Sequence, residues 1–184
     1  MELEILVTVL GLIQGVLALL NKRSNWIVYA LQMGALVVFS FYAKLYGDMV
    51  QSAVYMFICL FSYWAWKNSK LKKTTHTTKS TFALIVATTV VLTYVVGKIL
   101  SKTDDPMPYV DAFTTITTII ALLLMSAHKI ECWIVWFVND VAYLYEYYNL
   151  PNPAFYLFCL YIVWIVMAVL SYYNWYKTYK SELN

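Results

Sequence analysis

The chain has 184 residues, of which 62% are hydrophobic and only 12% charged, with a mean hydropathy of +0.64. Soluble domains carry about a quarter charged residues, so these values exclude a soluble enzyme and describe a chain that crosses a membrane many times. The 13 lysines and arginines against 10 acids leave a net charge of +3, too small an excess to call for a nucleic-acid partner.

Taken in chain order, apolar runs near the ~20 residues needed to cross a bilayer fall at 5–20, 25–43, 48–66, 81–100, 109–127, 132–148 and 154–176. The pattern predicts an all-α integral membrane protein with seven transmembrane helices. The first run opens on Glu2 and Glu4 and has neither a basic leading segment nor a small-residue cleavage site, so it reads as a retained helix. Gly11 and Gly15 within it form a GxxxG pattern, read as local helix packing. The longest polar stretch, 67–80, is rich in lysine and threonine. It reads as a solvated loop whose lysines attract anionic membrane lipids. Cys59, Cys132 and Cys159 lie within or at the ends of spans and read as small packing residues.

Lysine and arginine set the orientation. With the N-terminus outside, the cytoplasmic segments collect Lys22, Arg23, Lys67, Lys70, Lys72, Lys73, Lys79, Lys129, Lys177 and Lys180, and the outer segments keep only Lys44, Lys98 and Lys102. The expectation is a multi-pass protein of the cytoplasmic (inner) membrane, N-terminus out and C-terminus in.

Two stretches nearly repeat. Asn25-Trp26-Ile27-Val28-Tyr29-Ala30-Leu31-Gln32 aligns with Cys132-Trp133-Ile134-Val135-Trp136-Phe137-Val138-Asn139 at an offset of about 107, and Lys22 falls on Lys129. Ser62-Tyr63-Trp64-Ala65-Trp66 aligns with Ser171-Tyr172-Tyr173-Asn174-Trp175 at an offset of about 109. Spans one to three thereby pair with five to seven, in the same sense across the membrane. The expected organisation is a parallel 3-1-3 repeat: 1–66 the first repeat, 67–80 a cytoplasmic loop, 81–100 a connector helix, and 101–184 the second repeat with a short tail. Transporters built this way hold substrate near the midplane between the copies.

The polar residues expected to meet that substrate are few. In span six, Asn139 and Asp140 fall near mid-bilayer, where a carboxylate costs about 2.5–3.5 kcal/mol on insertion scales and so marks a pathway. At 100° per residue, Trp133, Trp136, Asp140, Tyr143 and Tyr147 share a stripe about 80° wide. An acid among aromatic rings suits a flat cationic ligand; the competing reading holds Asp140 as hydrogen-bonded glue. Gln32 is the repeat partner of Asn139, and the two carboxamides are expected to face each other across the repeat axis, reading ligand or simply joining helices. Span three offers Gln51, Tyr55, Ser62 and Trp66. Trp64, Trp66, Tyr172, Tyr173, Trp175 and Tyr176 read mostly as an interfacial aromatic belt. The threonines Thr114, Thr115, Thr117 and Thr118 read as bonding back to their own helix. His76 and His128 have no metal-ligand spacing, and no phosphate loop or nucleophile motif is present, so no cofactor and no enzyme activity are expected.

The segment Leu45-Tyr46-Gly47-Asp48-Met49-Val50-Gln51, followed by Phe61-Ser62-Tyr63-Trp64-Ala65-Trp66, resembles the third helix of PnuC-type vitamin transporters, a SWEET-like family. The Trp133, Trp136 and Asn139 spacing resembles their sixth helix. The resemblance implies facilitated diffusion of a B-vitamin precursor or nucleoside, trapped afterwards by a cytoplasmic kinase. It implies Trp133, Trp136, Asn139, Gln51 and Tyr55 as binding residues. Nicotinamide riboside transporters of the family carry more tryptophans and a glutamine ahead of the terminal Trp-Ala-Trp; here those positions read Cys59, Phe61 and Ser62. The expected substrate is therefore a cationic vitamin precursor, nicotinamide riboside or thiamine, bound through Gln32, Gln51, Tyr55, Trp133, Trp136, Asn139, Asp140 and Tyr143. The alternatives are a neutral nucleoside or riboflavin carrier, a non-transporting membrane module, or a membrane enzyme. The sequence leaves a homo-oligomer open.

Overall fold

The structure, a computed structural model, describes residues 2–42, 46–68, 73–149 and 155–183. Among these residues there are seven α-helices: α1 (Glu2–Leu19), α2 (Asn25–Tyr42), α3 (Tyr46–Asn68), α4 (Lys79–Leu100), α5 (Pro108–Ser126), α6 (Cys132–Asn149) and α7 (Phe155–Leu183). Lys44, Leu45, Lys70 and Lys72, and the span ends at 43 and 154, lie outside the described residues. Local signals account for the helix ends. The Thr78 side chain caps α4 by accepting from the Thr81 N–H, and Pro108 opens α5 where its missing N–H costs nothing.

Five helices contain a stretch long and apolar enough to cross a membrane: Asn25–Tyr42, Met49–Lys67, Lys79–Leu100, Pro108–Ser126 and Phe158–Glu182. The seven expected spans are thus seven helices of unequal character. The apolar part of α1, Ile5–Leu19, is shorter than a span. In α6, Asn139, Asp140 and Glu146 among tyrosines dilute the apolar run, so this helix depends on its neighbours rather than on lipid affinity.

The helices form two compact units, residues 1–73 and 74–184. In the first, α2 packs against both α1 and α3. The buried face of α1 is Gly11, Gln14, Gly15 and Ala18, at the helical spacing of one stripe; the GxxxG pair therefore serves packing within the unit, where small residues let backbones approach. In the second, α4 packs on α5, α5 on α6 and α6 on α7. Helix α5 is the most covered, burying Ala112, Thr114, Thr117, Thr118, Ala121, Leu122, Leu124 and Met125. Helix α4 buries only Thr89 and Gly97 and exposes Leu84, Val90, Val91 and Ile99, an apolar surface suited to lipid.

Each unit contains the same turn. Lys22 N–H donates to the Leu17 carbonyl and Lys129 N–H to the Leu124 carbonyl, both at 2.9 Å, while Asn21 and His128 donate to Ala18 and Met125, both at 3.0 Å. Asn21 and His128 both have φ of 53°, the only positive-φ non-glycine residues among those described. This bonding satisfies the last carbonyls of α1 and α5 through a left-handed residue that is ordinarily glycine. Each unit also buries one tryptophan pair. Trp26 meets Trp66 at 5.6 Å and 82°, and Trp133 meets Trp175 at 5.5 Å and 82°, the edge-to-face geometry that aromatic quadrupoles favour. Trp66 and Trp175 are accordingly buried core residues and do not belong to the interfacial belt, whereas Trp64 and Tyr173 are exposed.

The solvated-loop expectation for 67–80 needs correction over its second half. Residues 74–78 lie along the α5–α6 turn: the Thr75 N–H donates to the His128 carbonyl at 3.0 Å, and the Ile130 N–H to the Thr75 carbonyl at 3.1 Å. Thr74 is buried as a result.

Gly97 of α4 lies so close to the ring of Tyr109 on α5 that a Cβ would run into its Cδ1 and Cε1 and press on its Cγ. Because those atoms sit near the Tyr109 backbone, Gly97→Ala should lower stability in detergent by about 1–3 kcal/mol. Adding Tyr109→Ala should recover most of the loss in thermal unfolding; no recovery would mean that the helices are not packed as described.

Candidate functional site

Helix α6 carries the polar centre of the second unit. Asn139 and Asp140 sit halfway along it and are 1% and 5% exposed. Two consecutive residues on a helix point 100° apart, so they meet different surroundings. Asn139 faces α5, where its Oδ1 accepts from the Thr117 hydroxyl at 2.7 Å and its Nδ2 donates to the Thr118 hydroxyl at 3.3 Å. A carboxamide offers two N–H donors and two lone pairs, so one of each is left for another partner. The Thr117 hydroxyl is also 2.6 Å from the Phe113 carbonyl, and Thr114 donates to the Asp111 carbonyl at 3.0 Å. Thr114 and Thr117 therefore reach back to their own helix, as expected, and the single Thr117 hydroxyl hydrogen is shared between the Phe113 carbonyl and Asn139.

Asp140 has no hydrogen-bond or ion-pair partner among the described residues. One and two turns further, Tyr143 and Tyr147 stack on each other at 5.9 Å, and Tyr161 of α7 closes against both, at 4.6 and 5.4 Å. Sequence periodicity located the first two rings; Tyr161 escaped it because helix pairing, which periodicity does not reveal, brings it there. Trp133 is 7% exposed and engaged with Trp175, which makes it a pin between α6 and α7. Trp136 and Tyr143 are half-buried.

In the first unit, the Gln51 Nε2 donates to the Tyr55 hydroxyl at 2.9 Å along α3, which unites two expected site residues. Tyr55 is buried, and Gln51 and Gln32 are half-buried. Gln32 and Asn139 belong to different units. The positions equivalent to Thr117 and Thr118 are Leu10 and Gly11, so hydroxyls that hold the carboxamide are supplied in one unit alone.

A transmembrane core with an aromatic face, a half-satisfied carboxamide and a buried acid is the setting of a small-molecule carrier. Residues 2–177 match the family model described as nicotinamide mononucleotide transporter. The chain belongs to this family. It is 29% identical over 145 residues to the riboflavin/roseoflavin transporter RibM of Streptomyces davaonensis, a match covering 73% of this chain and 66% of that protein. The chain thus spans just under two thirds of that relative's length. The crystal structure of the vitamin B3 transporter PnuC shares the fold, with a TM-score of 0.80 at 23% identity over 98% of this chain and 83% of that one. The family is one of membrane transporters, and the apolar helices make this chain a multi-pass membrane protein.

Thr117→Val should leave one side of a buried carboxamide without its hydroxyl, costing about 1–3 kcal/mol. Thr117→Ser should restore most of it. Equal stability of the valine variant in thermal unfolding would free Asn139 from its dependence on α5.

Proposed function

We propose that the chain carries a cationic aromatic B-vitamin precursor, nicotinamide riboside or thiamine, down its gradient, with recognition centred on α6. The observation that carries this reading is Asp140: a carboxylate halfway along a membrane helix, 5% exposed, with no partner among the described residues and a tyrosine cluster within two turns. A buried carboxylate without a partner is costly, and a cationic ligand supplies both the charge and a ring for the aromatic faces. Trp136, Asn139 and Tyr143 are proposed to touch substrate beside it, with Trp133 setting the position of α6. Gln32, Gln51 and Tyr55 of the first unit are proposed as further contacts.

The architecture proposed for transport is the parallel 3-1-3 repeat with α4 as connector, in the cytoplasmic membrane, N-terminus out. It is supported by the recurrence of one turn at Asn21 and His128 and of one tryptophan pair at Trp26–Trp66 and Trp133–Trp175. A kinase on the cytoplasmic side would trap the product and keep the gradient inward. A second reading, riboflavin, is favoured by the name of the relative from Streptomyces davaonensis.

The readings separate on charge. If Asp140 is ionised against a cation, Asp140→Asn should weaken binding of nicotinamide riboside or thiamine at least tenfold, about 1.4 kcal/mol, and leave riboflavin binding nearly unchanged. Affinity for the cation should also fall on acidification, as the carboxylate takes up a proton and its attraction disappears. Thermal shift with each vitamin measures this, since a ligand of the folded state raises its stability. Stabilisation by riboflavin alone would install the second reading. For orientation, a cysteine beside Asp104 should react with an impermeant thiol reagent on intact cells, and one at Thr78 should not; the reverse result would invert the topology.

A further inference from the structure

Residues 74–78, Thr-Thr-His-Thr-Thr, are held by both backbone and side chains within the second unit. Their two backbone bonds form a parallel bridge between Thr75 and Lys129. The Lys129 ammonium donates to the Thr75 hydroxyl at 3.0 Å and to the His76 carbonyl at 3.4 Å. Glu131, the residue that precedes α6, uses both carboxylate oxygens: Oε1 lies 2.9 Å from His76 Nδ1, and Oε2 accepts the Thr77 N–H at 2.9 Å. Glu182, near the end of α7, accepts the Thr74 N–H at 3.1 Å. The His76 ring stands edge-on to Tyr179 of α7, 4.7 Å away. Four consecutive residues, 74–77, thus touch the end of α5, the start of α6 and the end of α7, and Thr78 caps α4.

The first unit has the same turn but a different tie. Arg23, just before α2, donates from Nε to the Tyr63 carbonyl at 3.1 Å and lays its guanidinium 3.7 Å from the centre of the Tyr63 ring, joining the start of α2 to the end of α3. In the second unit the position equivalent to Arg23 is Ile130, which has no donor, and the position equivalent to Tyr63 is Tyr172, which stacks on Tyr176. The direct tie cannot form there. The position equivalent to Ser24 is Glu131, the residue that grips the strap.

We propose that residues 74–78 are a brace that fastens the start of α6 to the end of α7, replacing the arginine tie of the first unit, and that Glu131 is a positioning residue for the helix that carries Trp136, Asn139 and Asp140. The brace stays closed through the transport cycle, so that this end of α5, α6 and α7 moves as one body. Glu131 is suited to the role because it is ionised at neutral pH. Burial alone would raise its pKa, but the hydrogen bonds from His76 and the Thr77 N–H outweigh burial and hold the group below its ordinary 4.5. Charge-assisted bonds of this kind are stronger than neutral ones. The brace stands independently of which vitamin is carried.

Hydrogen exchange on the whole protein in nanodiscs tests it. Glu131→Ala should speed exchange about tenfold or more at Thr75, Thr77 and Ile130 and leave the Arg23 turn unchanged, because local opening is governed by local contacts; Arg23→Ala should do the reverse. Uptake into proteoliposomes is measured with nicotinamide riboside, thiamine and riboflavin in turn. For whichever is carried, Glu131→Ala should lower the maximal rate several-fold with little change in Kd, and Glu131→Asp should restore part of it. A Thr75→Cys/Lys129→Cys disulfide, made with Cys159→Ala, should transport equally well oxidised and reduced. Unchanged exchange in Glu131→Ala, or a disulfide-locked protein that stops transporting until reduced, overturns the proposal, the latter because the strap would then have to open. Wild-type protein that carries none of the three vitamins counts against the substrate reading alone, and the exchange result still decides the brace.

Discussion

Inside a bilayer a polar group must find its partner within the protein, because the lipid offers none. Most of the side-chain chemistry of this chain follows from that constraint. Ser62 donates to the Ile58 carbonyl, Thr89 to the Ile85 carbonyl and Thr117 to the Phe113 carbonyl, each one turn back along its own helix. Gln51 is quieted by Tyr55, and Asn139 by two threonines of α5. Asp140 departs from this background, as do the buried indole N–H groups of Trp26 and Trp133 and the hydroxyls of Thr93 and Ser171, and among these Asp140 alone has a side chain that can carry a charge.

The two units share some local features and differ in others. The turn survives with a left-handed asparagine in one copy and a left-handed histidine in the other, because its six-residue hydrogen-bond pattern closes the preceding helix whichever side chain occupies the position. The buried tryptophan pair survives because two large rings at right angles fill a space that no smaller pair would fill. The polar positions diverged: Gln32 against Asn139, Met33 against Asp140, Arg23 against Ile130. Packing is therefore the part held in common, and polar side chains the part on which the units differ.

The same asymmetry separates His128 from the rest of the strap's neighbourhood. Burial beside Trp175 lowers its pKa to about 4, so at neutral pH the ring is uncharged and packs as an aromatic. At this end of the unit the charged side chains of Lys129, Glu131 and Glu182 bond to residues 74–77.

Composition and periodicity determined by themselves that the chain is a bundle of membrane helices, where those helices begin and end to within about three residues except at the end of α7, which runs on from 176 to Leu183, that two stretches nearly repeat, and that Asn139 and Asp140 lie midway along a helix. These are properties of hydropathy and of spacing along one chain, and they need no knowledge of neighbours. Tertiary structure alone decided that Trp66 and Trp175 are core residues, that Thr117 and Thr118 hold Asn139, that Tyr161 joins Tyr143 and Tyr147, and that residues 74–78 are bound along the α5–α6 turn. Each of those pairings joins residues more than ten positions apart, with no local pattern to announce it. His76 and Glu131 are separated by 55 positions, and His76 lies in a segment whose composition matches any solvated loop. Hydrophobic periodicity records which face of a helix avoids water, but only packing decides which helix that face meets.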